Sequence, residues 1–141
     1  MHHLIGMTLS VLVVDDHEWW RGYVRSALKD DRRWSIVAEV SNGFEAIEKA
    51  AALRPDLVLL DIGLPVLSGM AAARQILASD PQSRIMFVSA NGSPAMVEAA
   101  IRMGVRGYLL KSDAHQLLAA MDAISQGQAF ISEGLTRGSG T

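Results

Sequence analysis

The chain has no cysteine. Disulfides, thiolate metal sites and a cysteine nucleophile are therefore excluded, and a reducing compartment fits. Net charge is also nearly absent: 13 Lys and Arg against 15 Asp and Glu leave −2. That balance gives no bulk electrostatic attraction to nucleic acid. No apolar run approaches the roughly 20 residues that cross a membrane. The opening, Met1-His2-His3-Leu4-Ile5-Gly6-Met7, lacks the basic region and long apolar core of a secretory signal. Residues 1–7 read as an N-terminal extension, with His2 and His3 as an artificial remnant or Met7 as the native start. No motif repeats along the chain.

What is present is the material for one domain. Half of the 141 residues are apolar and a fifth are charged, enough for a real core. Strand-like runs fall near 9–14, 35–40, 56–61, 84–89 and 106–110. Helical patterns lie between and after them, at about 18–29, 43–53, 69–78, 94–103 and 113–126. The first places Trp20, Val24, Ala27 and Leu28 on one stripe. The second carries Phe44, Ile47 and Leu53 and ends before Arg54-Pro55. The fourth has Pro94 in its first turn and Gly104 past its end. The fifth takes Ser112 or Asp113 as N-cap and Gly127 as its stop. Alternating strands and helices predict βαβ units and a parallel α/β sheet. The small, polar stretch 134–141 reads as linker.

Three apolar runs end in charge: Val11-Leu12-Val13-Val14-Asp15-Asp16, Leu57-Val58-Leu59-Leu60-Asp61 and Gly107-Tyr108-Leu109-Leu110-Lys111. In a doubly wound sheet the ligand crevice lies outside the carboxyl ends of the strands, so these groups converge there. Three carboxylates repel one another unless a cation offsets them. Mg²⁺ takes oxygen ligands and binds through one or two carboxylates plus phosphate oxygen. Asp15, Asp16 and Asp61 with Lys111 thus make up a Mg²⁺-dependent phosphoryl-transfer site. Asp61, at the end of the central apolar run, suits the nucleophile that forms an acyl phosphate. Ser89 ends another such run, where its hydroxyl can reach a phosphoryl oxygen. Taken singly, each of these residues is a cap, turn or surface group; the joint pattern carries the reading. His17 is assigned to a surface loop, since Mg²⁺ prefers oxygen. Trp19 and Trp20 are adjacent and cannot share a helix face; Trp20 is expected in the core, and Trp19 partly exposed or against a partner.

These residues resemble the receiver domain of bacterial two-component response regulators. Val11 to His17 is similar to that family's first strand and acidic pair. Leu59-Leu60-Asp61-Ile62-Gly63-Leu64-Pro65, with Ser68-Gly69 after it, resembles the phosphoacceptor loop. Phe87-Val88-Ser89-Ala90 matches the hydroxyl position and Gly107 to Lys111 the lysine strand. The match covers about residues 8–130, leaving 131–141 as C-terminal linker. The resemblance implies a flavodoxin-like fold of five strands, order 2-1-3-4-5, with five helices. It implies that Asp61 accepts a phosphoryl group from a partner histidine kinase. It also implies that Asp16, Asp61 and the Gly63 carbonyl ligate Mg²⁺, with Asp15 acting more weakly or through water. Ser89 and Tyr108 would form a coupled switch, the hydroxyl moving toward phosphate and the ring turning inward. The readout would be the face of the fourth helix, fifth strand and fifth helix.

The Asp-Asp-His opening, Tyr108-Leu109-Leu110-Lys111 and the Gln126 to Ser132 ending are most similar to the NarL/LuxR-type branch. Its members usually carry a C-terminal DNA-binding domain, so the chain reads as a cytoplasmic receiver cut from a transcription regulator, or as a stand-alone receiver. By itself it is not expected to bind DNA specifically. A homodimer through the first and fifth helices or the fourth-helix face is allowed. Three departures stand out. Gly63 and Asn91 occupy places where side chains tune attacking water. Ser112 follows Lys111 where much of the family has proline after a cis bond. Trp19 and Trp20 are bulkier than the usual aliphatic residues. The alternative is a Mg²⁺-dependent phosphatase of the haloacid-dehalogenase type. It needs a second Asp two residues after the nucleophile, and Gly63 stands there.

Overall fold

The computed structural model describes residues 8–135. The extension at 1–7 and the end of the expected linker, 136–141, lie outside the described residues. Along the chain run β1 (Leu9–Val14), α1 (Glu18–Leu28), β2 (Trp34–Val40), α2 (Gly43–Leu53), β3 (Leu57–Asp61) and α3 (Gly69–Ser79). They are followed by β4 (Ile85–Ser89), α4 (Pro94–Met103), β5 (Gly107–Leu110), a 3₁₀ segment (Lys111–Gln116), α5 (Leu117–Ser125) and β6 (Phe130–Ile131). All strand pairs are parallel, in the order β2-β1-β3-β4-β5-β6. The expected 2-1-3-4-5 core is present, and β6 is added outside β5.

β1, β3 and β4 read as unbroken apolar runs because both their faces are covered. Side chains alternate between two helix layers. Leu12, Val14, Leu60, Phe87 and Tyr108 pack toward α2, α3 and α4, against Ala46, Ala73, Ile76 and Ala100. Val11, Val13, Leu59, Met86 and Leu109 pack toward α1 and α5, against Trp20, Val24, Leu117, Met121 and Ile124. Helix starts follow local chemistry. Asn42, Ser68 and Ser93 cap α2, α3 and α4, each accepting a backbone N–H three residues on. Gly104, at φ 106°, ends α4.

Several details depart from expectation. Phe44 and Leu53 are exposed, at 57% and 43%. α2 instead buries Gly43, against the backbone of Leu67 in the loop before α3, and Ala46, in the core. The fifth helix begins at Leu117, because residues 111–116 form the tighter 3₁₀ turn. Neither Ser112 nor Asp113 caps it. The Asp113 carboxylate accepts from Ser132 Oγ at 2.9 Å and Gly134 N at 2.8 Å. The packed chain therefore continues beyond residue 130: Ser132 and Leu135 are buried, and Ser132 Oγ accepts from Leu110 N at 3.1 Å. The Lys111–Ser112 peptide is trans, since no cis bond occurs among the described residues.

Candidate functional site

The chain leaves β1 to one side for β2 and returns on the other for β3, so a crevice opens at the carboxyl ends of β1 and β3. Asp15 and Asp16 follow β1, Asp61 ends β3, Ser89 ends β4 and Lys111 follows β5. Asp15 and Asp61 are buried, and Asp16 is on the rim. One ligand atom each from Asp15, Asp16, His17 and Asp61 lies within 4.8 Å of the others. Lys111 is buried among them, its Nζ 2.8 Å from Asp15 Oδ2 and 3.8 Å from Asp61 Oδ2. The structure thus brings together all three predicted carboxylates and the predicted ammonium.

Two carboxylates are tied back to the chain. Asp61 Oδ1 accepts from Gly63 N at 3.0 Å. Asp15 Oδ1 accepts from His17 N at 2.9 Å and lies 3.0 Å from His17 Nδ1. The second oxygen of Asp15 touches the Lys111 ammonium off the direction of a hydrogen bond, so this buried atom has no hydrogen-bond partner. Burial pushes the Asp61 carboxyl above the ordinary carboxylate range. The Gly63 N–H opposes this, the Asp15 and Asp16 charges add to it, and Lys111 works against it. A pocket that gathers oxygens of three carboxylates within 4.8 Å of one another fits a divalent cation of the Mg²⁺ kind.

Ser89 and Tyr108 meet at Asn91. Ser89 Oγ accepts from Asn91 N at 3.1 Å, and Tyr108 Oη donates to Asn91 O at 3.0 Å. The Tyr108 ring is fully buried, edge-on to Phe87. It already lies inward, where the sequence reading has it turn inward on activation. Burial, aided by the Asp61 charge and opposed by the Ser89 hydroxyl, raises its ionisation above the phenol range.

Two residues were under-read. His17 is half exposed yet reaches both acidic residues, 3.3 Å from Asp16 Oδ1. The Trp19 ring faces Lys111 Nζ at 5.2 Å from its centroid, with Trp20 at 5.7 Å. Their closeness in sequence to the acidic pair was the available signal.

The sequence model of the response regulator receiver domain matches residues 11–122. Chemotaxis protein CheY of Listeria monocytogenes is 36% identical over 115 residues, 81% of this chain and 96% of that one. Nitrate/nitrite response regulator NarL of Escherichia coli is 33% identical over 128 residues, 90% of this chain and 59% of that protein. The chain spans little more than half of NarL. Among solved structures, a LuxR-family two-component response regulator from Aurantimonas superposes with a TM-score of 0.87 at 30% identity, covering 92% of this chain and 94% of that one.

Proposed function

The chain belongs to the response regulator receiver family, in which it is a phosphorylation-dependent signalling switch, and we propose that Asp61 is its phosphoacceptor. The observation that carries this is the Lys111 ammonium seated between Asp15 and Asp61 inside the acidic pocket. The phosphatase alternative falls with the family match, and Gly63 stands where a second Asp would be required.

An Asp61 carboxylate oxygen attacks the phosphorus of a phosphohistidine on a partner histidine kinase. The P–N bond breaks, the imidazole leaves, and an acyl phosphate remains on Asp61. Water later cleaves that acyl phosphate and returns phosphate and the free carboxylate. The chain thus promotes its own phosphorylation and dephosphorylation without turning over a separate substrate. Asp16, Asp61 and the Gly63 carbonyl are the residues to hold Mg²⁺, with Asp15 in support. A bound Mg²⁺ offsets charge on the phosphoryl oxygens. Lys111 and the Ser89 hydroxyl each take one phosphoryl oxygen, and Ser89 and Tyr108 pass the change to the face of α4, β5 and α5. A Cβ at Gly63 would stand 3.7 Å from Asp61 Oδ1, so glycine leaves that side open to attacking water. As in the NarL-type branch, the output partner is a DNA-binding domain or a second copy of the chain; this stretch alone does not bind DNA specifically.

The test is intact mass after incubation with acetyl phosphate, with and without Mg²⁺, for wild type and Asp61→Asn. One Mg²⁺-dependent phosphoryl increment on wild type alone is expected. An equal increment on Asp61→Asn overturns the assignment.

A further inference from the structure

Lys111 sits in an unusual enclosure. On one side are the carboxylates of Asp15 and Asp61. On the other are two indoles, Trp19 and Trp20. The two rings have different standing in the fold. Trp20 is 1% exposed and stacks on Tyr23 with centroids 5.3 Å apart, so it belongs to the core under α1. Trp19 is 60% exposed. It stands in the first turn of α1, edge-on to Trp20 and tilted to His17, at the mouth of the acidic pocket. The core does not need it there. A large apolar ring left in water at this point has a charged neighbour whose chemistry suits its face, the Lys111 ammonium.

A lysine carries its charge on a flexible four-carbon stem and is strongly hydrated, so it wanders unless it is held. In the resting site it leans on Asp15. To contact a phosphoryl group on Asp61 it must leave that carboxylate without being drawn out to solvent. We propose that Trp19 is a positioning residue for phosphorylation: from the pocket mouth its indole face holds the Lys111 ammonium beside the carboxylates, poised for a phosphoryl oxygen on Asp61. This rests on the reading of Asp61 as phosphoacceptor. The ring acts through Lys111 and is not itself among the residues assigned to the metal, so its loss is expected to bear on phosphoryl recognition and not on Mg²⁺ binding.

The test is calorimetric titration with beryllofluoride, a phosphoryl mimic, in saturating Mg²⁺, alongside a titration with Mg²⁺ alone. Wild type, Trp19→Leu and Trp19→Phe are compared, each also in a Lys111→Met background. Leu keeps an apolar side chain but has no π face; Phe restores one. Trp19→Leu is expected to weaken beryllofluoride binding about three- to thirty-fold, with Mg²⁺ affinity and melting temperature unchanged. Trp19→Phe is expected to recover most of that loss. In the Lys111→Met background the Trp19 change is expected to have no further effect, as coupling through the ammonium requires. Equal beryllofluoride affinity in all Trp19 variants overturns the proposal. So does an undiminished Trp19→Leu effect without Lys111, or a parallel fall in Mg²⁺ affinity. If wild type itself binds no beryllofluoride and takes no acetyl phosphate, the phosphoacceptor reading has failed instead, and the two failures are distinct.

Discussion

At the scale of single residues, the site stores charge that the fold would be better without. Asp61 is buried beside two more carboxylates, and one ammonium does not balance them. Its folded-state carboxyl ionises at a higher pH than in the unfolded chain. The sign follows. Below the unfolded value of about 3.9 the group is protonated in both states and costs nothing. As pH rises toward and through the folded value, the unfolded chain ionises first and stability is lost. Above the folded value the full cost remains. Asp61→Asn, measured in EDTA, is therefore expected to melt higher than wild type at neutral pH, with the gain vanishing near pH 3. A variant that melts lower at neutral pH would contradict this account. The residues of this cluster were legible because each lies at or within two residues of the end of an apolar strand. The contacts of His17 and Trp19 were less so: both depend on where the first turn of α1 points its side chains, which a local pattern does not state.

At the scale of elements, one contact sets the distance between β3 and the helix that follows. The N-terminus of α3 is folded back on the end of β3. Gly69 N donates to Ile62 O at 2.9 Å, and Ser68 caps the helix. A Cβ at Gly69 would lie 2.2 Å from the Asp61 carbonyl oxygen and 2.7 Å from Ile62 Cα. Both are backbone atoms, so no side-chain rotation relieves the clash. Gly69→Ala is expected to cost about 3 kcal/mol in urea unfolding and to slow phosphorylation by moving Asp61. An unchanged denaturation midpoint would show that the close approach is dispensable. Element positions were readable from period and caps: the predicted α2 and α4 limits match the observed helices. The buried face of α2 was not, since helical spacing favoured Phe44 while close packing on the Leu67 loop and the core selected Gly43 and Ala46. The start of α5 was misplaced for a similar reason. Asp113 looks like a cap in sequence, yet its carboxylate is taken by Ser132 and Gly134, some twenty residues away.

At the scale of the molecule, the end of β4 and the segment after β5 are joined by a short run of contacts. Ser89 Oγ holds the amide of Asn91, whose carbonyl accepts from the Tyr108 hydroxyl. The next residue, Gly92, has no Cβ; one built there would stand 2.6 Å from Leu135 Cδ2 and 3.2 Å from Tyr108 Cε1. Leu135 and the Tyr108 ring thus both pack against Gly92, and β6 and Ser132 pin the same segment to β5. The sequence places the domain's end at residue 130, because the stretch from Gly134 on is small and polar and the partners of Ser132 and Leu135 lie on distant elements. If a phosphoryl oxygen on Asp61 recruits the Ser89 hydroxyl, the Asn91 amide loses its acceptor and the loop carrying Gly92 is released from its present place. Leu135 then loses the surface it rests on. Hydrogen exchange of the amides from 130 to 135 is expected to quicken when beryllofluoride and Mg²⁺ are added, while the central strands β1 and β3 stay protected. The same segment in Asp61→Asn is expected to show no change. Quickened exchange there in both proteins would place its cause outside Asp61. Unchanged exchange in wild type that has bound the mimic would confine the switch to α4, β5 and α5. The expected pattern makes residues 130–135, beside α4, β5 and α5, a place where a phosphoryl group at one edge of the sheet is felt.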